Sequence, residues 1–215
     1  MTTGGPKIIA IGGFSSDTGK TTLMCDLLRA FPGWEAIKTT RGHYRSCGKD
    51  PHACCVSHLL SDEPVIRSGR DQTYAPGKDT GRYWDAGATS VHWLIATDTQ
   101  VERGIMEALQ RVKSEGVFIE GNSFSEYVSV DALIISIRES QNNVKRSAKR
   151  ALSKATALYV WRDLNPDSHP HEVVATMLRG NDELLAHVSK IPCYTAATLS
   201  DLVHSLRKLK HSAAA

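Results

Sequence analysis

Gly13, Ser15, Ser16, Asp17, Thr18, Gly19, Lys20, Thr21 and Thr22 form a stretch of small and hydroxylic residues around one lysine. Residues of these types can cradle an oxyanion. Glycines let the backbone approach closely, successive N–H groups converge, and an ammonium and a hydroxyl stand at the rim. The pattern reads as a phosphate-binding loop, in which Lys20 reaches the outer phosphates of a nucleotide and the Thr21 hydroxyl ligates Mg²⁺. The strict spacing has a glycine where this chain has Phe14. Gly13 lies one residue further back, so the loop is G-x5-G-K-T. Ser15 and Ser16 have no identifiable base nearby and are poor nucleophiles.

Such a loop needs a strand to deliver it and a helix to follow it. Lys7 to Gly12 is an apolar, β-branched strand, and Leu23, Leu27 and Leu28 recur at helical spacing between Lys20 and about Phe31. Pro32-Gly33 ends that helix, and a strand at Trp34 to Thr39 follows. Extended structure is expected near Val65-Ile66. Beyond it, helices are predicted over Asp79–Ala86, Thr99–Lys113, Asn142–Ser153, Glu172–Leu178 and Leu199–Leu209. The strands between them are Ser90–Ala96, Val117–Ile119, Val130–Ile137, Ala157–Trp161 and Ile191–Tyr194. This alternation predicts an α/β domain with a mostly parallel sheet and helices on both faces. A chain of 215 residues suffices for one such P-loop NTPase domain with a full core.

Ligands of such sheets lie beyond the carboxyl ends of the strands. Glu120 directly follows an apolar strand, so its carboxylate can sit beside the metal, as a ligand or through water, or cap a turn. Lys38 at another strand end is either a second cation on the phosphates, where charge develops in phosphoryl transfer, or a surface lysine. Asp79 can hold Mg²⁺ or cap the helix it opens. Asp163, after a late strand, can accept from a guanine edge or cap a turn. Thr195-Ala196-Ala197 is a small-residue loop suited to backing a base. Neither decides between GTP and ATP.

Three segments carry a resemblance. Ala36-Ile37-Lys38, the run Gly77-Lys78-Asp79-Thr80-Gly81-Arg82 through Ala86-Gly87-Ala88, and Phe118-Ile119-Glu120-Gly121 are similar to MobB, the GTP-binding accessory protein of molybdopterin guanine dinucleotide biosynthesis. The resemblance covers roughly residues 7–140. It implies Gly19, Lys20 and Thr21 on nucleotide and Mg²⁺, Lys38 near the phosphates, and Asp79 and Glu120 on the metal side. Molybdopterin or a cofactor-biosynthesis protein would be a partner. The chain departs from that family in its longer loop, in Thr39-Thr40-Arg41 where histidine is usual, and in Asn122-Ser123 after Glu120-Gly121. The G-x5-G-K-T loop, strand-end lysine and Glu-Gly pair also resemble dethiobiotin synthetase of the same superfamily, which implies a small-molecule kinase or ATP-dependent ligase.

Between residues 40 and 62 the alternation breaks. His43, Cys47, His52, Cys54, Cys55 and His58 fall within sixteen residues, a Cys/His-rich insertion. Thiolate and imidazole suit Zn²⁺ or another transition metal, which would make a nucleotide-switched metallochaperone. The C-x6-C-C spacing is not a standard zinc-knuckle spacing, and a loop of reduced, redox-sensitive thiols is the alternative. Cys25 and Cys193 are expected in the core, as are Trp93 and Trp161.

Five cysteines in a chain without an evident export signal argue for free thiols and a cytoplasmic location. A formal net charge of +3 is too small to imply a nucleic-acid partner, and no apolar run is long enough for a membrane span. Homodimerisation is compatible with the superfamily.

Overall fold

The computed structural model describes residues 5–42, 56–140, 144–161 and 169–209. The apolar runs pair into one eight-stranded sheet with the order β3-β4-β2-β5-β1-β6-β7-β8. Its strands are β1 (Lys7–Gly13), β2 (Glu35–Arg41), β3 (Val65–Ser68), β4 (Val91–Ala96), β5 (Gly116–Glu120), β6 (Ala132–Arg138), β7 (Ala157–Trp161) and β8 (Cys193–Tyr194). All neighbours are parallel except β3, which runs antiparallel to β4 at the edge. The mostly parallel α/β architecture is therefore the one expected.

Alternate side chains of each buried strand feed two separate cores. Ile9 and Ile11 of β1 face one way, into the side covered by α1 (Lys20–Ala30), α3 (Asp79–Asp85) and α8 (Leu199–Lys208). Ala10 faces the other, covered by α4 (Val101–Gln110), α5 (Arg146–Leu152), α6 (Pro170–Met177) and α7 (Asp182–Val188). Both faces being covered explains the near-continuous apolar strands. A single turn, α2 (Arg70–Thr73), links β3 to α3. No helix among the described residues is long and apolar enough to cross a membrane.

Several elements differ from expectation. The helix expected over Thr99–Lys113 is Val101–Gln110, and the strand expected over Ile191–Tyr194 is only Cys193–Tyr194. Pro192, which has no N–H, instead contributes its carbonyl to the Leu158 N–H at 2.9 Å. Helix α7 had no counterpart in the expected pattern. Trp93 and Trp161 are half-buried, not core: each ring packs on one side while its N–H reaches a hydroxyl, on Thr40 at 2.8 Å and Ser136 at 3.2 Å. Cys25 is buried and Cys193 half-buried, both as free thiols.

The start of the β5–β1 pair is held by aromatic packing. Phe118 is fully buried, with ring centroids 4.7 Å from Trp34 and 5.5 Å from Phe31. Phe118→Ala should cost about 3–5 kcal/mol in urea unfolding without changing the denaturant slope. A loss below about 1 kcal/mol would show that this cluster does not anchor the sheet.

Candidate functional site

Strand β1 runs into the loop at Gly13, and α1 begins at Lys20. Gly19 is the helix cap in the left-handed region, φ 78°. A side chain there would be both strained and obstructed, since its Cβ would stand 2.3 Å from the Trp161 ring nitrogen. Asp17 is also left-handed, φ 58°, a conformation short acidic side chains tolerate.

The longer loop is held by side chains from β6 and from the turn that follows β5. The Asn122 amide accepts from the Gly13 N–H and donates to the Gly13 carbonyl, both at 2.8 Å. Its approach is so close that a Cβ on Gly12 would lie 2.6 Å from the amide oxygen. Ser136 of β6 donates its hydroxyl to the Thr18 carbonyl at 2.5 Å and receives the Trp161 ring N–H. Lys20 donates to the Ser15 carbonyl at 2.8 Å, within the concavity the loop encloses.

Next to the loop lies a charged cluster centred on Glu120, whose residue is only 2% exposed. Its Oε1 pairs with the Lys38 ammonium. Its Oε2 accepts from Thr21 Oγ1 at 3.1 Å and from the Tyr83 hydroxyl. Lys38 also pairs with Asp79 at 2.7 Å. Arg82, one turn further along α3, donates to Thr22 Oγ1 at 3.2 Å.

Burial works against the charge on Lys38, yet the Glu120 and Asp79 carboxylates outweigh it and raise its pKa. For Asp79, burial pushes upward, but the Lys38 ammonium and hydrogen bonds from Lys38 and Thr21 bring the pKa below the ordinary carboxylate value. Burial, and then Glu120, raise Tyr83 well above the usual phenol value, so it remains a donor. Lys20 is lowered chiefly by burial, with Lys38 and Lys145 adding to it against the pull of Glu120. A poorly solvated ammonium of this kind gains from any anion brought beside it.

The donor set fits a hard divalent cation. Two carboxylates already enclose a positive group, the Lys38 ammonium, and the Thr21 hydroxyl, a third oxygen, lies against one of them. Together with the loop these residues line a cavity of about 660 Å³.

Thus Gly13 to Thr22, Lys38, Asp79 and Glu120 converge on one place. Lys38 is no surface lysine, because two carboxylates enclose it. Asp79 does not cap α3: Lys78 holds the cap position without a side-chain bond, and the Asp79 carboxylate turns to Lys38. Glu120 caps nothing. Thr195 closes a capping box with Thr198, a local structural role. His43, Cys47, His52, Cys54, Cys55 and Asp163 lie outside the described residues, and His58 sits exposed in a short turn. Among the described residues no three His, Cys, Asp or Glu side chains group as a metal site. Tyr83, Ser136 and Trp161 were missed as site residues. Tyr83 reads as an ordinary core aromatic, and no local signal marks its hydroxyl.

A parallel sheet whose central strand delivers a Gly-Lys-Thr loop into a following helix, with a carboxylate at the end of the adjacent strand, defines the P-loop NTPase fold. No family profile matches the chain, and no curated protein matches it. Among solved structures it overlays on HypB from Helicobacter pylori, in complex with nickel, at 12% identity and TM-score 0.49, covering 98% of this chain and 92% of that one. It overlays on LpxK from Aquifex aeolicus, in complex with ATP, at 17% identity and TM-score 0.46, covering 75% of this chain and 52% of that one. The chain thus spans about half the length of LpxK. A Zn(II)-bound triple mutant of the YjiA GTPase gives 12% identity and TM-score 0.40, over 89% of this chain and 57% of that one.

The cluster has a pH signature. Lys38 holds its proton more tightly than an unfolded lysine, so its contribution is fully present below about pH 10.4 and is lost as pH rises through the raised native value. Lys38→Met, which leaves Glu120 without its counter-charge, should cost about 3–5 kcal/mol at pH 7. The deficit should shrink above about pH 10.4, where the wild type loses the same interaction. Equal stability of the two proteins at pH 7 in chemical denaturation would contradict the assignment.

Proposed function

We propose that the chain binds a nucleoside triphosphate with Mg²⁺ at this loop and cleaves its terminal phosphoryl group, acting as a MobB-like accessory GTPase in molybdopterin guanine dinucleotide biosynthesis. One observation carries the reading. The three segments behind the resemblance, far apart in sequence, meet in the Lys38–Asp79–Glu120 cluster against Thr21.

In this reading Lys20 exchanges the Ser15 carbonyl for the outer phosphates, and the α1 N-terminus with the loop N–H groups holds their charge. Thr21, with Asp79 and Glu120, would hold Mg²⁺, which when bound supplies electrostatic stabilisation of the phosphates. Lys38, already beside both carboxylates, is placed to take up the charge that develops on the transferred group. Water attacks the terminal phosphorus as the bridging P–O bond breaks, giving nucleoside diphosphate and inorganic phosphate. Asn122 and Ser136 keep the loop backbone in register and touch no reacting atom.

A nucleotide panel in the presence of Mg²⁺ tests this. GTP should bind more tightly than ATP, and Lys20→Ala should weaken binding by about tenfold to a hundredfold, the worth of a charge-assisted contact. Thr21→Ala and Glu120→Gln should lose the Mg²⁺ dependence of hydrolysis. Binding of neither nucleotide, or an unaltered Lys20→Ala variant, would refute the reading, and a preference for ATP would favour the kinase or ligase alternative.

A further inference from the structure

The cavity reaches further than the nucleotide machinery just described. Its lining also includes Arg41, Ser123, Arg138, Lys145 and Ser147. The sheet register places the two arginines. Lys38 pairs with Glu120, Glu120 with Ile11, and Ile11 with Ile134, so these residues share one level of the sheet. Arg41 ends β2 three residues beyond Lys38, and Arg138 ends β6 four residues beyond Ile134. At the rise of a strand they stand roughly 10–13 Å above the Glu120 level. They do so on opposite sides of the loop, because β5 and β1 lie between β2 and β6.

The charges divide in the same way. Near the loop, Asp79 and Glu120 are both answered by Lys38. Beyond that cluster the charged lining groups are Arg41, Arg138 and Lys145, with Asp17 of the loop as the one acid among them. Arg41 meets Asp98 at 3.1 Å on the exposed rim, and Lys145 meets the Ser16 hydroxyl at 3.2 Å. Neither contact puts an acid into the cavity wall. A water-filled cleft with this bias concentrates anions. Guanidinium forks, with serine hydroxyls beside them, match the planar or tetrahedral oxygens of a carboxylate or phosphate.

We propose that this upper wall binds a second ligand, a small molecule carrying an oxyanion, above the terminal phosphate of the nucleotide. The inference rests on the nucleotide reading and names the class of a further ligand at the same site. A carboxylated and a phosphorylated molecule share the chemistry, and the experiment separates them. Protein saturated with Mg²⁺ and a non-hydrolysable GTP or ATP analogue is titrated calorimetrically with inorganic phosphate and, separately, with succinate. At least one anion should bind the loaded protein. Arg41→Gln and Arg138→Gln should each weaken that binding by about tenfold, one charge-assisted contact, while nucleotide affinity stays within about twofold. Arg41 is exposed at a strand end, so its variant is expected to fold. Phosphate binding alone identifies a phosphorylated ligand, and succinate binding alone a carboxylated one. Binding of neither anion to loaded protein overturns the proposal and leaves the nucleotide reading standing. So does anion binding that both variants leave unchanged, or an equal loss of nucleotide affinity, which would assign the arginines to the nucleotide. Failure of the unmodified protein to take up nucleotide refutes both.

Discussion

Glu120 places a carboxylate at the end of a central strand, almost wholly out of water. An uncompensated charge there would cost several kcal/mol, comparable with much of a domain's stability. Its acceptor sites are filled from three elements: Lys38 on β2, Thr21 on α1 and Tyr83 on α3. The backbone oxygen of Glu120 takes a fourth donor, the Thr39 hydroxyl at 2.7 Å. Satisfying this one charge therefore fixes the mutual positions of β2, β5, α1 and α3. Folding and site assembly become the same requirement, because the groups that settle Glu120 are also those that could handle a phosphate.

The loop answers a second requirement. Backbone N–H and C=O groups removed from the ladder must find partners, and an additional residue adds one of each. The last rung between β1 and β5 joins Ile11 to Glu120. Beyond it the Asn122 amide supplies both a donor and an acceptor to Gly13, imitating the next rung with a side chain. Across the loop Ser136 holds the Thr18 carbonyl, and Trp161 closes over Gly19. The longer spacing is thereby tied to the sheet by side chains from outside the loop.

Much of this was legible in the residues. The β1–loop–α1 unit is local, and its types and spacing carry their own chemistry, so its boundaries matched closely. Asp79 and Glu120 were found as helix-start and strand-end residues, while Lys38, read as a strand end, lies three residues before the end of β2. Their roles were open because pairing across β2, β5 and α3 is a tertiary fact. Asn122 stood out only as a departure from relatives, with no spacing rule to give it a partner more than a hundred residues away. Tyr83 and Trp161 were hidden by their own apolarity, which periodicity assigns to core. Helix α7 was missed although a signal existed. Asn181 precedes Asp182-Glu183-Leu184-Leu185, and its side chain accepts from the Leu184 N–H at 3.3 Å, an ordinary cap.

A second buried carboxylate shows why chemistry belongs at one end of the sheet. Glu35 begins β2, opposite Val117 at the start of β5, and is as deeply buried as Glu120. Its Oε1 takes the backbone N–H groups of Lys113 and Ser114, at 2.8 and 2.9 Å. Its Oε2 meets His92 at 2.8 Å, and His92 in turn meets Ser68 at 2.9 Å, tying β3 and β4 to β2. Two of these partners are main-chain donors in a tight turn, which cannot leave without unmaking the fold. Around Glu120 every partner of the carboxylate is a side chain, and two of them, Lys38 and Thr21, open onto the cavity. Such donors can turn towards a ligand by side-chain rotation, with no change of main chain, provided the ligand brings a cation to Glu120 in their place. One buried acid is therefore a fixed anchor of the sheet, while the other is compensated by groups free to be redirected by a ligand.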